Sequence, residues 1–224
     1  MTGVQTCALP ICGTSAATKA RRNNGQAEIT LFDMDKDISY SGCGLPYYIG
    51  NKIKDRSVIV PRDSSFFKKK YNVDILTRHE VLSIDVLVKK LTVKNLNTNE
   101  IFMENFDKLI IATGAKSVTA NILGAKGANV FYLRNVQSAD EIKAFINKNN
   151  PKKAVIVGSG LIGLEMTENL KNLGIDVTII ELGAQVMPTL DKEMATYIEK
   201  YLEKKEVNLV LGDSVASIER EFPN

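Results

Sequence analysis

The feature that most constrains this chain is Gly158-Ser159-Gly160-Leu161-Ile162-Gly163. It lies between a buried-strand pattern, AVIV at 154–157, and a helix pattern, SGLIGLEMTENLKNLG, closed by Gly174. Alone, a GxGxxG spacing is weak evidence; between a strand and a helix, each glycine has a reason. Gly158 permits the tight turn, Gly160 lets backbone approach a pyrophosphate, and Gly163 lets the helix pack closely on the strand. The first N–H groups of the helix and its positive dipole end then face the phosphates. An acid for the ribose hydroxyls is expected about 20 residues on, at the end of the next strand. Glu181, ending VTII, occupies that place. Residues 182–191 contain no Arg or Lys to receive a 2′-phosphate, so NADH is favoured over NADPH.

The rest of the chain alternates in the same way. Strand-like runs are expected at 27–32, 73–76, 80–86, 90–96, 101–103, 108–113 and 207–211, with Asn97–Glu100 turning a hairpin. Residues 57–61 read as extended up to Pro61. Helices are expected over 13–25, from Asp63 or Ser64 to Tyr71, from a Ser138 cap with Glu141 three residues on, and over 190–204. The fold class is α/β: two Rossmann-like dinucleotide-binding units, with a small antiparallel β meander in each. The expected divisions are 1–12 as a leader, 13–114 as the first unit, 115–150 as a connection and 151–224 as the second unit.

Composition excludes several classes. The 224 residues are 44% hydrophobic and 25% charged with net charge +3, which argues against disorder and disulfide scaffolds. The densest basic cluster, Lys68-Lys69-Lys70, has no second stripe, so nucleic acid is not an expected partner. No apolar run reaches the roughly 20 residues of a membrane span, and the opening lacks the charged start and apolar centre of a signal peptide. The chain reads as cytoplasmic. Its three cysteines, at 7, 12 and 43, match no zinc pattern, and one histidine, His79, makes no metal site.

A second candidate site is Ser39-Tyr-Ser-Gly-Cys43-Gly-Leu-Pro46-Tyr-Tyr-Ile-Gly50. Pro46 suits the first turn of a helix, placing Cys43 at or just before its start, where a thiolate is favoured. The competing reading is a small buried hydrophobe, which the flanking glycines disfavour. No second cysteine follows four or five residues on, so a reactive Cys43 works alone.

This segment resembles the active site of the single-cysteine FAD/NAD(P)H pyridine nucleotide-disulfide oxidoreductases, in the branch of coenzyme A–disulfide and NADH-dependent persulfide reductases. GTSAATKARR (13–22) is similar to the end of the family's first fingerprint, KLIIATGA (108–115) to the ATG segment beneath the flavin, and GSGLIGLE (158–165) to its NAD(P)H fingerprint. The resemblance implies bound FAD, with hydride delivered from NADH, and Cys43 as the catalytic thiolate attacking a disulfide or persulfide. It implies cofactor contacts at Gly13, Asp33, Val81, Ala112, Thr113, Gly114, Arg134, Gly158, Gly160, Ile162, Gly163, Glu165 and Glu181. Asp33 would hold the adenosine ribose and the backbone near Val81 would touch the adenine. Glu165 reads equally as an acid near the nicotinamide or an exposed helix acid, and Ile162 as a pocket cover or a packing residue. Ser15, Lys19, Arg22 and Ser39 would line the channel for a coenzyme A-like thiol, Arg22 as an anion partner or a solvated charge. Tyr71 stands where the family usually has lysine, and His79 reads as structural.

The resemblance also implies a longer, homodimeric parent. MTGVQTCALPIC shows no apolar strand of the expected type and is similar to translated adapter read-through, so the FAD sheet is expected to lack its central strand. An oxidase or peroxidase cycling Cys43 through sulfenic acid and a truncated, non-catalytic nucleotide-binding fragment are the alternatives.

Overall fold

The computed structural model describes residues 2–7, 10–118 and 121–219. In chain order the elements are β1 (Thr2–Cys7), α1 (Pro10–Asn23), β2 (Glu28–Asp33), α2 (Leu45–Ile49), α3 (Arg56–Ile59), α4 (Ser64–Tyr71), β3 (Asp74–Thr77), β4 (His79–Asp85) and β5 (Lys90–Asn95). There follow β6 (Ile101–Asn105), β7 (Lys108–Ala112), α5 (Val136–Asn149), β8 (Lys153–Val157), α6 (Leu161–Asn172), β9 (Asp176–Glu181), α7 (Lys192–Lys204) and β10 (Asn208–Leu211). They form two compact units, residues 1–41 with 57–116 and residues 42–56 with 117–224.

The first unit is built on a four-stranded parallel sheet in the order β3-β2-β1-β7. The opening segment, expected to hold no strand, is the central strand: β1 pairs with Glu28–Phe32 on one side and Lys108–Ala112 on the other. The slot between β2 and β7 exposes backbone donors and acceptors on both edges, and pairing them overrides a weak local pattern. Helix α1 covers this sheet through a cluster of Ala17, Ile29, Leu31, Phe67, Val73 and Ile75. It begins at Pro10, ahead of the expected start, and runs out at Asn23, before Gly25. Strands β4-β5-β6 make the expected meander, with an irregularity between Val81 and Ser83. Leu91 and Val93 pack from it onto Phe32 and Phe106.

The run at 57–61, expected to be extended, contains a helical turn at Arg56–Ile59 instead. Further on, α4 is capped by Asp63, which accepts the Phe66 N–H, and ends at Asn72 in the left-handed region.

The second unit carries the parallel order β10-β9-β8. A meander was expected here also, but among the described residues every strand pairing in this sheet is parallel. The N-cap of α5 lies one turn before the expected one: Asn135 is the N-cap and Ser138 is the third helical residue, the two forming a reciprocal capping box. Among the described residues no helix is long and apolar enough to cross a membrane.

Candidate active site

The strand β8 ends one residue before Gly158, whose φ of +100° suits glycine and turns the chain toward α6. Nothing lies within 4 Å of where a Cβ on Gly158 or Gly160 would stand, so a ligand has free access to this stretch of backbone. A Cβ on Gly163 would collide with the Gly158 carbonyl oxygen, the close helix–strand contact that its spacing predicts. The turn therefore fits a pyrophosphate on the observation that its open side would be filled by any side chain. Ile162, at the start of α6, is exposed, and Glu165, one turn on, is half-buried.

Sequence spacing assigned Glu181 to a ribose but did not reveal what else holds it. Its Oε2 accepts both the Ser159 N–H and the Ser159 hydroxyl at 2.7 Å. Its Oε1 accepts the Gly183 N–H at 2.8 Å. The Gly183 and Ser159 hydrogen bonds hold its carboxyl below the usual range. Ser159 is fully buried, and its oxygens also receive the Met187 N–H at 3.3 Å. Glu181 thus braces the glycine turn and, of a carboxylate's roughly four lone-pair sites, keeps about one for a ligand hydroxyl. A serine inside a fingerprint is the only sequence hint of this brace.

In the first unit, Asp33 ends β2 and is buried, with its Oδ1 accepting the Asp35 N–H at 2.9 Å. Burial pushes its carboxyl up to about 7, against the lowering effect of that hydrogen bond. Beside it is a cavity of about 390 Å³ whose lining includes Phe32, Met34, His79, Val81, Ile111 and Thr113. Ala112 ends β7; Thr113 and Gly114 follow, Gly114 with φ of +66°. The His79 Nδ1 lies 2.8 Å from the Thr77 carbonyl, and its ring packs against Phe32 and Phe102.

The α1 residues are placed less tightly. Gly13 is buried, whereas Ser15, Lys19 and Arg22 are exposed. Arg22 donates back to the Thr18 carbonyl of its own helix at 3.4 Å. Ser39 is half-buried, as is Tyr71, whose carbonyl accepts the Arg21 Nε at 2.8 Å. Arg134 belongs to the second unit, half-buried just before α5.

Cys43 is exposed, at the centre of a 3₁₀ turn, Gly42–Gly44, that leads directly into α2. Pro46 sits in the first turn of α2 as expected. Leu45, Pro46, Tyr48 and Ile49 are buried, so the helix is anchored while the thiol before it is accessible. The segment 42–56 belongs to the second unit, apart from its chain neighbours on both sides. Among the described residues no group of three or more His, Cys, Asp and Glu could hold a metal ion.

The profile of the pyridine nucleotide-disulphide oxidoreductases matches residues 11–222. A coenzyme A disulfide reductase of Staphylococcus haemolyticus is 38% identical over 206 residues, 92% of this chain and 46% of that protein. An NADH oxidase of Methanocaldococcus jannaschii is 36% identical over 207 residues, again 92% and 46%. The solved NAD-dependent persulfide reductase of A. fulgidus superposes with a TM-score of 0.93 at 36% identity, covering 99% of this chain and 41% of that one. The chain spans about half the length of the curated relatives it matches.

Proposed function

The chain belongs to the pyridine nucleotide-disulphide oxidoreductase family, whose members use FAD with NAD(P)H, and from that premise we propose that its protein reduces a small-molecule disulfide or persulfide of the coenzyme A type through Cys43. The carrying observation is the exposed Cys43 thiol in a glycine-flanked turn on a buried helix. FAD, when bound, supplies the relay that takes a hydride's two electrons from the nicotinamide and returns them to sulfur.

The chain's own residues do the rest. Gly158 and Gly160 receive the nicotinamide cofactor's pyrophosphate on open backbone, and Glu181 keeps their turn in shape. Asp33 and the cavity lined by Val81 and Thr113 offer an acid and an apolar slot for the adenosine end of the flavin. The Cys43 thiolate attacks one sulfur of the substrate, R–S–S–R, forming Cys43–S–S–R and releasing R–S⁻. Two electrons and a proton then cleave that mixed disulfide, restoring the Cys43 thiolate and freeing R–SH. Arg22, Lys19, Ser15 and Ser39 are the side chains proposed to guide the substrate.

The test is NADH oxidation by the flavin-loaded protein, with coenzyme A disulfide as acceptor. Cys43→Ser should abolish disulfide reduction and leave NADH-to-dye transfer intact; equal disulfide turnover would overturn the assignment. The Methanocaldococcus relative's name favours one second reading, an oxidase in which Cys43 cycles through sulfenic acid. Oxygen or peroxide as the only productive acceptor would select it. If the purified 224-residue chain is colourless and does not bind NADH, the reading of this stretch as a working module fails.

A further inference from the structure

Helix α2 is five residues long, too short to hold its shape unaided. What fixes it comes from elsewhere in the second unit, chiefly from α5. Asp140 accepts the Tyr48 hydroxyl at 2.9 Å through Oδ1 and the Arg56 Nε at 3.0 Å through Oδ2. Tyr48 lies in α2 and Arg56 just beyond it, so one carboxylate ties the two ends of the 48–56 stretch. Three residues on, along the same helix face, Lys143 donates to the Tyr48 carbonyl at 2.5 Å and to the Asn51 side chain at 2.6 Å. Its Nζ also lies 4.1 Å from the Tyr48 ring centroid. The carbonyl it engages also accepts the Asn51 N–H at 3.3 Å, so Lys143 brings a second donor to the end of the helix. Burial lowers the Lys143 ammonium and, with the Asp140 contact, raises the Tyr48 phenol, as expected of a partly desolvated polar cluster.

Helix α2 also meets α6. Gly50 closes α2, and the Asn169 side chain fills the space where its Cβ would stand. Asn169 is fully buried, its Nδ2 donating to the Glu165 carbonyl at 2.8 Å. Its Oδ1 has no hydrogen-bond partner. A buried amide left with an unpaired oxygen is costly; here it is the shape of the side chain against glycine that matters.

We propose that Asp140 and Lys143 are positioning residues for the thiol, clamping α2 to α5 so that the Cys43 turn is presented in one fixed orientation on the nucleotide-binding unit. Neither touches the reacting sulfur; both act through Tyr48 and the backbone that follows it. The inference rests on the reading of Cys43 as the reactive thiol, yet its test does not depend on turnover.

In the full chain, amide hydrogen exchange over 44–53 and iodoacetamide alkylation of Cys43 are followed by peptide mass spectrometry in the wild type, Tyr48→Phe and Lys143→Met. Tyr48→Phe removes one hydroxyl and keeps the buried ring, so it tests the clamp with the smaller disturbance to packing. Each variant should speed exchange over 44–53 by roughly tenfold, as expected for losing a hydrogen bond to a charged partner, with the Cys43 alkylation rate shifting in step. Exchange in β8, α6 and β9 should stay at the wild-type level, and Lys143→Arg should restore protection. Unchanged exchange over 44–53 in both variants overturns the clamp, as does a rise spread evenly over the unit. If exchange rises as expected but Cys43→Ser still reduces disulfides, the clamp stands and the catalytic reading falls.

Discussion

Asp33 and Glu181 hold matching places, each ending the second strand of its unit's parallel sheet, yet their surroundings drive them in opposite directions. The end of β2 is buried, and Asp33, 5% exposed, is pushed up to about 7 by desolvation. The end of β9 faces a turn rich in N–H groups, and Glu181 is held low by Gly183 and Ser159. Topology thus fixes where an acid stands, while the donors around it fix its protonation. Glu181 already accepts from Ser159 and Gly183 and works as a brace. If the flavin's ribose takes the place proposed for it at Asp33, its hydroxyl donors should favour the carboxylate, and binding should release a proton.

The comparison can be broken most sharply at Asp33. Its folded carboxyl is raised above 3.8, so the folded chain keeps a proton that the unfolded chain has lost. Stability of the first unit should therefore fall as pH rises from about 4 to about 7 and level off above that. The gap between 3.8 and about 7 corresponds to about 4 kcal/mol at most. Asp33→Asn should flatten that fall, measured by urea unfolding at several pH values, and should weaken flavin binding. A pH profile identical to wild type would show that Asp33 is charged when folded.

Gly163→Ala is next in size. The added methyl meets the Gly158 carbonyl, backbone that cannot swing aside, so the second unit should lose about 3 kcal/mol and NADH affinity should drop with it. Calorimetry and NADH titration check both.

The smallest effect is expected at Glu181. Glu181→Gln keeps the shape but trades charge-assisted acceptors for a neutral amide oxygen and a donor, costing about 1.5 kcal/mol. Since the folded Glu181 lies below 4.5, its contribution is present above that pH and lost as pH falls through its folded value. The wild type and Glu181→Gln should therefore converge in stability at low pH, opposite in sense to Asp33. Parallel pH curves for the two acids would end the contrast between the units.

Much of this was legible in sequence because it is local. Strand, glycine turn and helix at 154–172 follow one another within a short window, and Asn97–Glu100 announces its hairpin. The cysteine turn was legible from Pro46 and the two glycines. What sequence hid is non-local. TGVQTC becomes β1 only because β2 and β7 pair with it. Ser138 reads as a cap because Glu141 follows three residues on, but Asn135 sits where the chain is still extended and caps the helix instead. Asp33 is buried although it ends its strand, and no local pattern around it marks that burial. Tyr48 and Asp140 are far apart in the chain, so no spacing rule joins them.

The most direct measurement is the mass of the Cys43 peptide after the flavin-loaded protein meets coenzyme A disulfide, before and after NADH is added. The account predicts one coenzyme A thiol attached at Cys43, then its removal when NADH is supplied. A Cys43 peptide that never gains the thiol, or keeps it in the presence of NADH while disulfide is still consumed, would contradict it.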